Sequence, residues 1–235
     1  MKKLVLLIIL ASLSLLLFGE VITDELWLKA VKLKNASFDI YPSTTTYKSI
    51  IKDKKGTVQQ EITILIAHTE KDGNIINSFV EGQTSDEPLT ADDEAVAVYL
   101  GTDVLVKEAG IFKTETNEDF KLTRVADEML EGKEYAKYQI TQFIMNEKKK
   151  IKSEGFIWLD AITGIPLKMV ADIEPNHMMV KSINMTTTFS LTKDGYLVAD
   201  EKATDVNISV VFKKMNMTQV VTSKGFKKVG GAISN

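Results

Sequence analysis

The chain contains no cysteine. That excludes disulfides and thiolate metal sites, so stability has to come from a packed core. Histidine is nearly absent too: His68 and His177 are the two, and neither has the i, i+4 spacing beside an acid that makes a metal site. No nucleophile elbow, phosphate-binding loop or dinucleotide fingerprint occurs. The sequence therefore shows no catalytic machinery and implies no cofactor; the expectation is a protein that is not an enzyme. Asp92 and Asp93 fall at a helix start, where carboxylates favour the positive end of the dipole. Asp160 precedes a turn, where Asp bonds local backbone N–H groups. None of the three is assigned acid–base work. Neither sign of charge dominates: 29 basic residues face 32 acidic ones, which argues against nucleic acid as a partner. No internal repeat, linker or low-complexity segment breaks the chain.

One long apolar run is present, and it is N-terminal. Lys2 and Lys3 precede Leu4 to Phe18, and Gly19 and Glu20 end the run. At about 15 residues it is short for a membrane span, which needs roughly 20. The pattern reads as a signal peptide over residues 1–19 with cleavage near Gly19, giving a soluble exported or periplasmic protein. A retained N-terminal anchor is the alternative, because Leu17 is bulky for a cleavage site. Glu20 stands where a lipoprotein would carry its acceptor cysteine, so no lipid anchor is expected.

Past this run the pattern is mostly alternation of period two. Thr23 to Lys34 reads as a helix, with Thr23 as cap and Leu26, Ala30 and Leu33 on one face. A second helix is expected from about Thr90–Asp93 to Leu100. Strands are expected over Phe38–Lys52, Thr57–His68, Ile75–Val80, Tyr135–Met145, Ile151–Leu159, Leu167–Ile173, Lys181–Thr192, Tyr196–Asp200, Val206–Phe212 and Met215–Thr222, with Lys71 to Asn74 as a hairpin turn. Gly82 to Pro88 reads as a loop, and Asp127 to Leu130 as a turn or short helix. Strands joined by short turns imply antiparallel pairing. The expected organisation is one domain over residues 22–229 with a loose tail over 230–235.

The most informative stretch runs from Gly155 to Lys168. Phe156, Trp158 and Asp160 alternate with Ile157 and Leu159, so that strand is apolar on both faces, as in a sheet covered or ligand-filled on both sides. Gly164 can supply a positive φ in the turn, and Pro166 can enter an edge strand. Gly155, Trp158, Asp160, Thr163, Gly164, Pro166 and Lys168, with the preceding segment Glu131 to Ile140 containing Gly132, Tyr135 and Tyr138, resemble the outer-membrane lipoprotein-sorting family (LolA-like). The likeness covers residues 131–174. It implies a mainly β fold with some α, an incomplete antiparallel β-barrel covered by short helices, and a lining that holds acyl chains.

Methionine gathers on the apolar faces of the second half. Met185 and Phe189 alternate with polar residues, as do Met169, Phe212 and Met217. A flexible, polarizable side chain suits a surface that fits variable apolar chains, though it also fills ordinary cores. With Trp158, these six are the expected lining of an apolar cavity for lipid or lipoprotein acyl chains. Lys148, Lys149 and Lys150 form a charge run at a hairpin tip, either solvated or in contact with anionic headgroups. Two functions follow: an exported carrier of acyl chains, or an envelope sensor or protein-interaction module whose barrel is filled by its own side chains.

Overall fold

The structure, a computed structural model, describes residues 20–100, 111–146, 149–175, 177–210 and 213–230. The signal-peptide segment, Phe212 and Lys148 lie outside them. Among the described residues there are two helices, α1 (Glu25–Ala36) and α2 (Glu94–Leu100), and thirteen strands. β1 (Ile40–Tyr41) and β13 (Lys227–Lys228) form a small antiparallel pair. The rest make one eleven-stranded sheet: β2 (Thr44–Asp53), β3 (Val58–Lys71), β4 (Asn74–Thr84), β5 (Phe120–Arg124), β6 (Glu128–Leu130), β7 (Lys133–Asn146), β8 (Lys149–Asp160), β9 (Pro166–Ile173), β10 (Val180–Leu191), β11 (Leu197–Val210) and β12 (Lys213–Lys224). The order is β4-β3-β2-β12-β11-β10-β9-β8-β7-β5, with β6 beside β7, and every pairing is antiparallel. The sheet is not closed: β4 and β5 stand at opposite ends of the order. This is the expected mainly β architecture with short helices over an incomplete barrel.

Several element limits differ from the expectation. The long strand from Phe38 breaks into β1 and β2 at Pro42, which has no N–H to donate to a ladder. Glu201 to Asp205 stay within β11 because each finds a partner on both neighbouring strands, which overrides their low β propensity. Glu128 to Leu130 form β6, neither a helix nor a turn, by pairing with Tyr135, Glu134 and Lys133. β4 runs on to Thr84, into the expected loop. Pro166 opens β9, an internal strand, at its first residue, a position where the missing donor is tolerated.

The register fixes two faces. One row of paired residues runs Ile157, Met169, Thr187, Lys202, Val221, Tyr47, Ile64 across seven adjacent strands. Both helices cover this face, which is the interior. α1 drives Trp27, Ala30 and Val31 into a cluster with Phe112, Phe120, Tyr138, Ile157, Leu159, Met169, Phe189 and Leu197. α2 places Val96 over Tyr47, Ile64 and Ile66. Asp24, not Thr23 as expected, caps α1: its carboxylate accepts the Trp27 N–H at 3.0 Å, because the helix begins one residue later at Glu25. The turn after β8 nests against α1. Gly164 has φ +74°, and a Cβ there would lie 2.8 Å from the Leu26 carbonyl oxygen, so both the turn and the helix contact demand glycine.

Candidate functional site

Successive rows of the interior face change in chemistry from one rim of the sheet to the other. At the rim beside α1, Leu159, Phe189 and Leu197 are buried. Trp27, fully buried, stacks on Phe112 at 5.6 Å and donates its Nε1–H to the Lys113 carbonyl at 2.8 Å. Phe189 meets Phe112 edge-on at 6.2 Å and adjoins a cavity of only about 40 Å³. This end is filled by the protein's own side chains.

The next row inward carries Met169, Thr187 and Lys202. Thr187 is fully buried, and its hydroxyl has no hydrogen-bond partner among the described residues. Beyond it lies a row of mixed character: Ala171, Met185, Thr204, Gln219 and Ser49. The following row is apolar across five adjacent strands: Ile173, Ile183, Val206, Met217 and Ile51. All five are partly exposed, whereas Ile157 and Ile64 further in are fully buried. Ile144, on the same face and nearer the far rim, is 44% exposed. An open hollow of about 510 Å³ near that rim lies on the other side of the sheet, among the outer-face side chains of Lys152, Glu154, Asp172 and Asn184. Five strands at about 4.8 Å spacing make this row roughly 19 Å long.

The expected lining residues divide accordingly. Met169 and Phe189 sit in the filled end. Met185 packs partly against it. Met217 belongs to the exposed apolar row. Trp158 is a correction: it lies on the outer face, because β8 pairs with β9 so that Ile157, not Trp158, shares the face of Met169. Its burial comes from side chains on the same outer face. Trp158 Nε1 donates to Glu128 Oε2 at 2.9 Å, and the ring lies under the ammonium groups of Lys137 at 4.9 Å and Lys168 at 4.7 Å. Snorkelling lysine stems therefore cover this outer face locally, where a second layer was expected. The hydrogen bonds from Trp158 and Lys137 hold Glu128 below the usual carboxylate range.

Of the basic run, Lys150 bonds Asp119 at 2.6 Å, and that bond raises its pKa. Lys148 and the side chain of Lys149 lie outside what the structure describes. His177 is exposed. His68 is buried on the interior face between Asn77 Oδ1 and Thr45 Oγ1, both at 2.9 Å. Burial pushes its pKa down against the opposing bond to Asn77. Asn77 also donates to the Leu100 carbonyl at 2.9 Å, which ties β4 to the end of α2. Asp160 serves the turn, as expected: its Oδ1 accepts the Ile162 and Thr163 N–H groups and the Thr163 hydroxyl, while Oδ2 meets Lys133 at 2.6 Å. Burial alone would raise its pKa, but these partners hold it well below the carboxylate range.

Sequence reasoning missed the network of Asp24, Tyr138 and Arg124. Tyr138, buried on β7, donates to Asp24 Oδ1 at 2.6 Å, and Arg124 lies 3.7 Å from Oδ2. Burial and the neighbouring carboxylate push the Tyr138 hydroxyl well above the usual phenol range. The residues are 114 positions apart, so only folding unites them. Among the described residues, no three carboxylate or imidazole groups converge as metal ligands, and no helix is long and apolar enough to cross a membrane.

No protein-family model matches the chain, and no curated protein matches it. Among solved structures it is similar to a DUF1329 family protein from Desulfovibrio piger, at 8% identity over 88% of this chain and 93% of that one, with a TM-score of 0.38. A likeness of that degree settles neither fold nor function.

Proposed function

We propose that the chain is an exported, non-enzymatic carrier that holds lipid or lipoprotein acyl chains against the interior face of its open barrel, and that it takes part in outer-membrane lipoprotein sorting. The observation that carries this reading is the apolar row Ile173, Ile183, Val206, Met217 and Ile51, which runs across five strands of the interior face and is partly exposed. A row of this kind gains by covering itself with an apolar chain. A guest burying roughly 300 Å² of apolar surface gains about 7.5 kcal/mol at ~25 cal/mol per Å², before the cost of ordering it. No polar clamp is required for that gain. The basic, then apolar, N-terminal run supports export.

The test is uptake of a fluorescent fatty acid, together with native mass spectrometry and lipid analysis of protein purified from its own envelope. Ile183→Asp and Met217→Asp should abolish uptake, because a carboxylate facing an apolar guest is desolvated without a partner. Trp158→Phe, on the outer face, should leave uptake unchanged. A well-folded wild type that binds no fatty acid and co-purifies with no lipid would favour the interaction module with a filled barrel. The packed end around Trp27 and Phe189 is the observation on that side.

A further inference from the structure

The carrier reading requires a way for an apolar chain to enter, and one rim of the sheet has the chemistry for it. Four hairpins follow one another along the sheet: β7–β8, β9–β10, β11–β12 and β2–β3. The strand ends that these hairpins join all fall on the rim opposite α1, beside the apolar row. This rim combines apolar side chains with cations. Met178 is 86% exposed and Met179 38% exposed at the β9–β10 tip, and Ile144 is exposed beside the β7–β8 tip. Lys54 and Lys55 project from the β2–β3 turn, Lys214 from the start of β12, and Lys181 beside Met178, all exposed.

The acidic groups on this rim are mostly committed. Asp119 pairs with Lys150, and Glu154 with Lys152 at 2.6 Å. Asp53 accepts the N–H groups of Lys55 and Thr57 within its own turn. Glu118 lies 4.0 Å from Lys150. Asp172 and Glu174 line the hollow with Lys152 and Lys181.

We infer that this rim is a docking surface for an anionic lipid bilayer. Met178 and Met179 would enter the headgroup boundary, and Lys54, Lys55, Lys181 and Lys214 would face the phosphates. Exposed methionines cost the free protein apolar hydration, which the acyl boundary removes. Docked this way, the apolar row faces the membrane, and a chain passes between bilayer and barrel without crossing water. The inference rests on the carrier reading for its purpose, but docking itself can be measured without a guest.

The experiment is co-sedimentation with vesicles of phosphatidylglycerol and phosphatidylcholine, compared with phosphatidylcholine alone, at low and high salt. Wild type and variants are purified alike and their N-termini sequenced. Wild type should bind the anionic vesicles and release at high salt. Lys54→Glu with Lys55→Glu should weaken binding at least 20-fold, at about fivefold for each lysine lost. Met178→Gln with Met179→Gln should weaken it on both vesicle types. Lys193→Glu, in the turn at the opposite rim, is the control and should change nothing. Fatty-acid uptake in solution should be unaltered in all these variants. If the rim variants bind vesicles as well as wild type does, the docking surface is overturned while the carrier reading stands. If vesicle binding depends on the rim but wild type takes up no fatty acid, docking stands and the carrier reading fails.

Discussion

Replacing Asp24 with alanine removes three contacts at once, and their sizes can be worked from the geometry. The carboxylate caps α1 through the Trp27 N–H at 3.0 Å, and losing such a cap costs about 1 kcal/mol. It also accepts the Tyr138 hydroxyl at 2.6 Å. Tyr138 is 1% exposed, so its hydroxyl would be left buried without an acceptor, at a cost of about 1–3 kcal/mol. The Arg124 contact at 3.7 Å is partly solvated and adds at most a few tenths of a kcal/mol by the usual worth of exposed pairs. Asp24→Ala should thus destabilise by about 2–4 kcal/mol in urea titration. Tyr138→Phe alone should cost about 1–2 kcal/mol. The double variant should cost less than the sum by about 1–2 kcal/mol, because the second change removes the stranded hydroxyl. Strict additivity would refute the claim that this hydroxyl depends on Asp24. The pH dependence has a definite sign. Burial opposes ionisation of Asp24, but Tyr138, the Trp27 N–H and Arg124 together depress its pKa. Its contribution is therefore complete above the unfolded carboxylate value, about 3.9, and is lost as pH falls through the lower folded value.

Other outcomes follow from the same structure. Gly155→Ala should cost about 1–3 kcal/mol by overpacking, since a Cβ there would overlap the Val170 carbonyl oxygen and lie 2.7 Å from the Ala171 Cα; thermal unfolding checks it. Gly164→Ala should cost at least about 1 kcal/mol, because its φ of +74° and the Leu26 carbonyl both exclude a side chain. Asp160→Asn should lower stability at neutral pH, and the difference from wild type should shrink as acid protonates the depressed native carboxylate; urea titrations at a series of pH values read this. Trp27→Ala should cost about 3–5 kcal/mol through the cavity it leaves, and a much smaller loss would mean that α1 is not seated as described.

The sequence by itself determined the class of fold. Period-two alternation and short turns make antiparallel strands, and α1 carries its own apolar face, so local physics specifies them, although the cap falls on Asp24, one residue past the expected Thr23. The turn role of Asp160 and the need for glycine at 164 were legible for the same reason: the partners lie within a few residues or in a local backbone geometry. Tertiary structure alone decided which face became the interior. Alternation states that Trp158 opposes Ile157 on its own strand and that Met169 opposes Lys168. Which pair meets across strands is a matter of register, and a shift of one residue reverses it. Register also kept Glu201 to Asp205 inside a strand and brought Asp24 to Tyr138. It aligned Ile173, Ile183, Val206, Met217 and Ile51 into one exposed row, although each strand, read separately, shows only an ordinary apolar residue. A face assembled from one residue per strand is a property of pairing, and pairing is long-range.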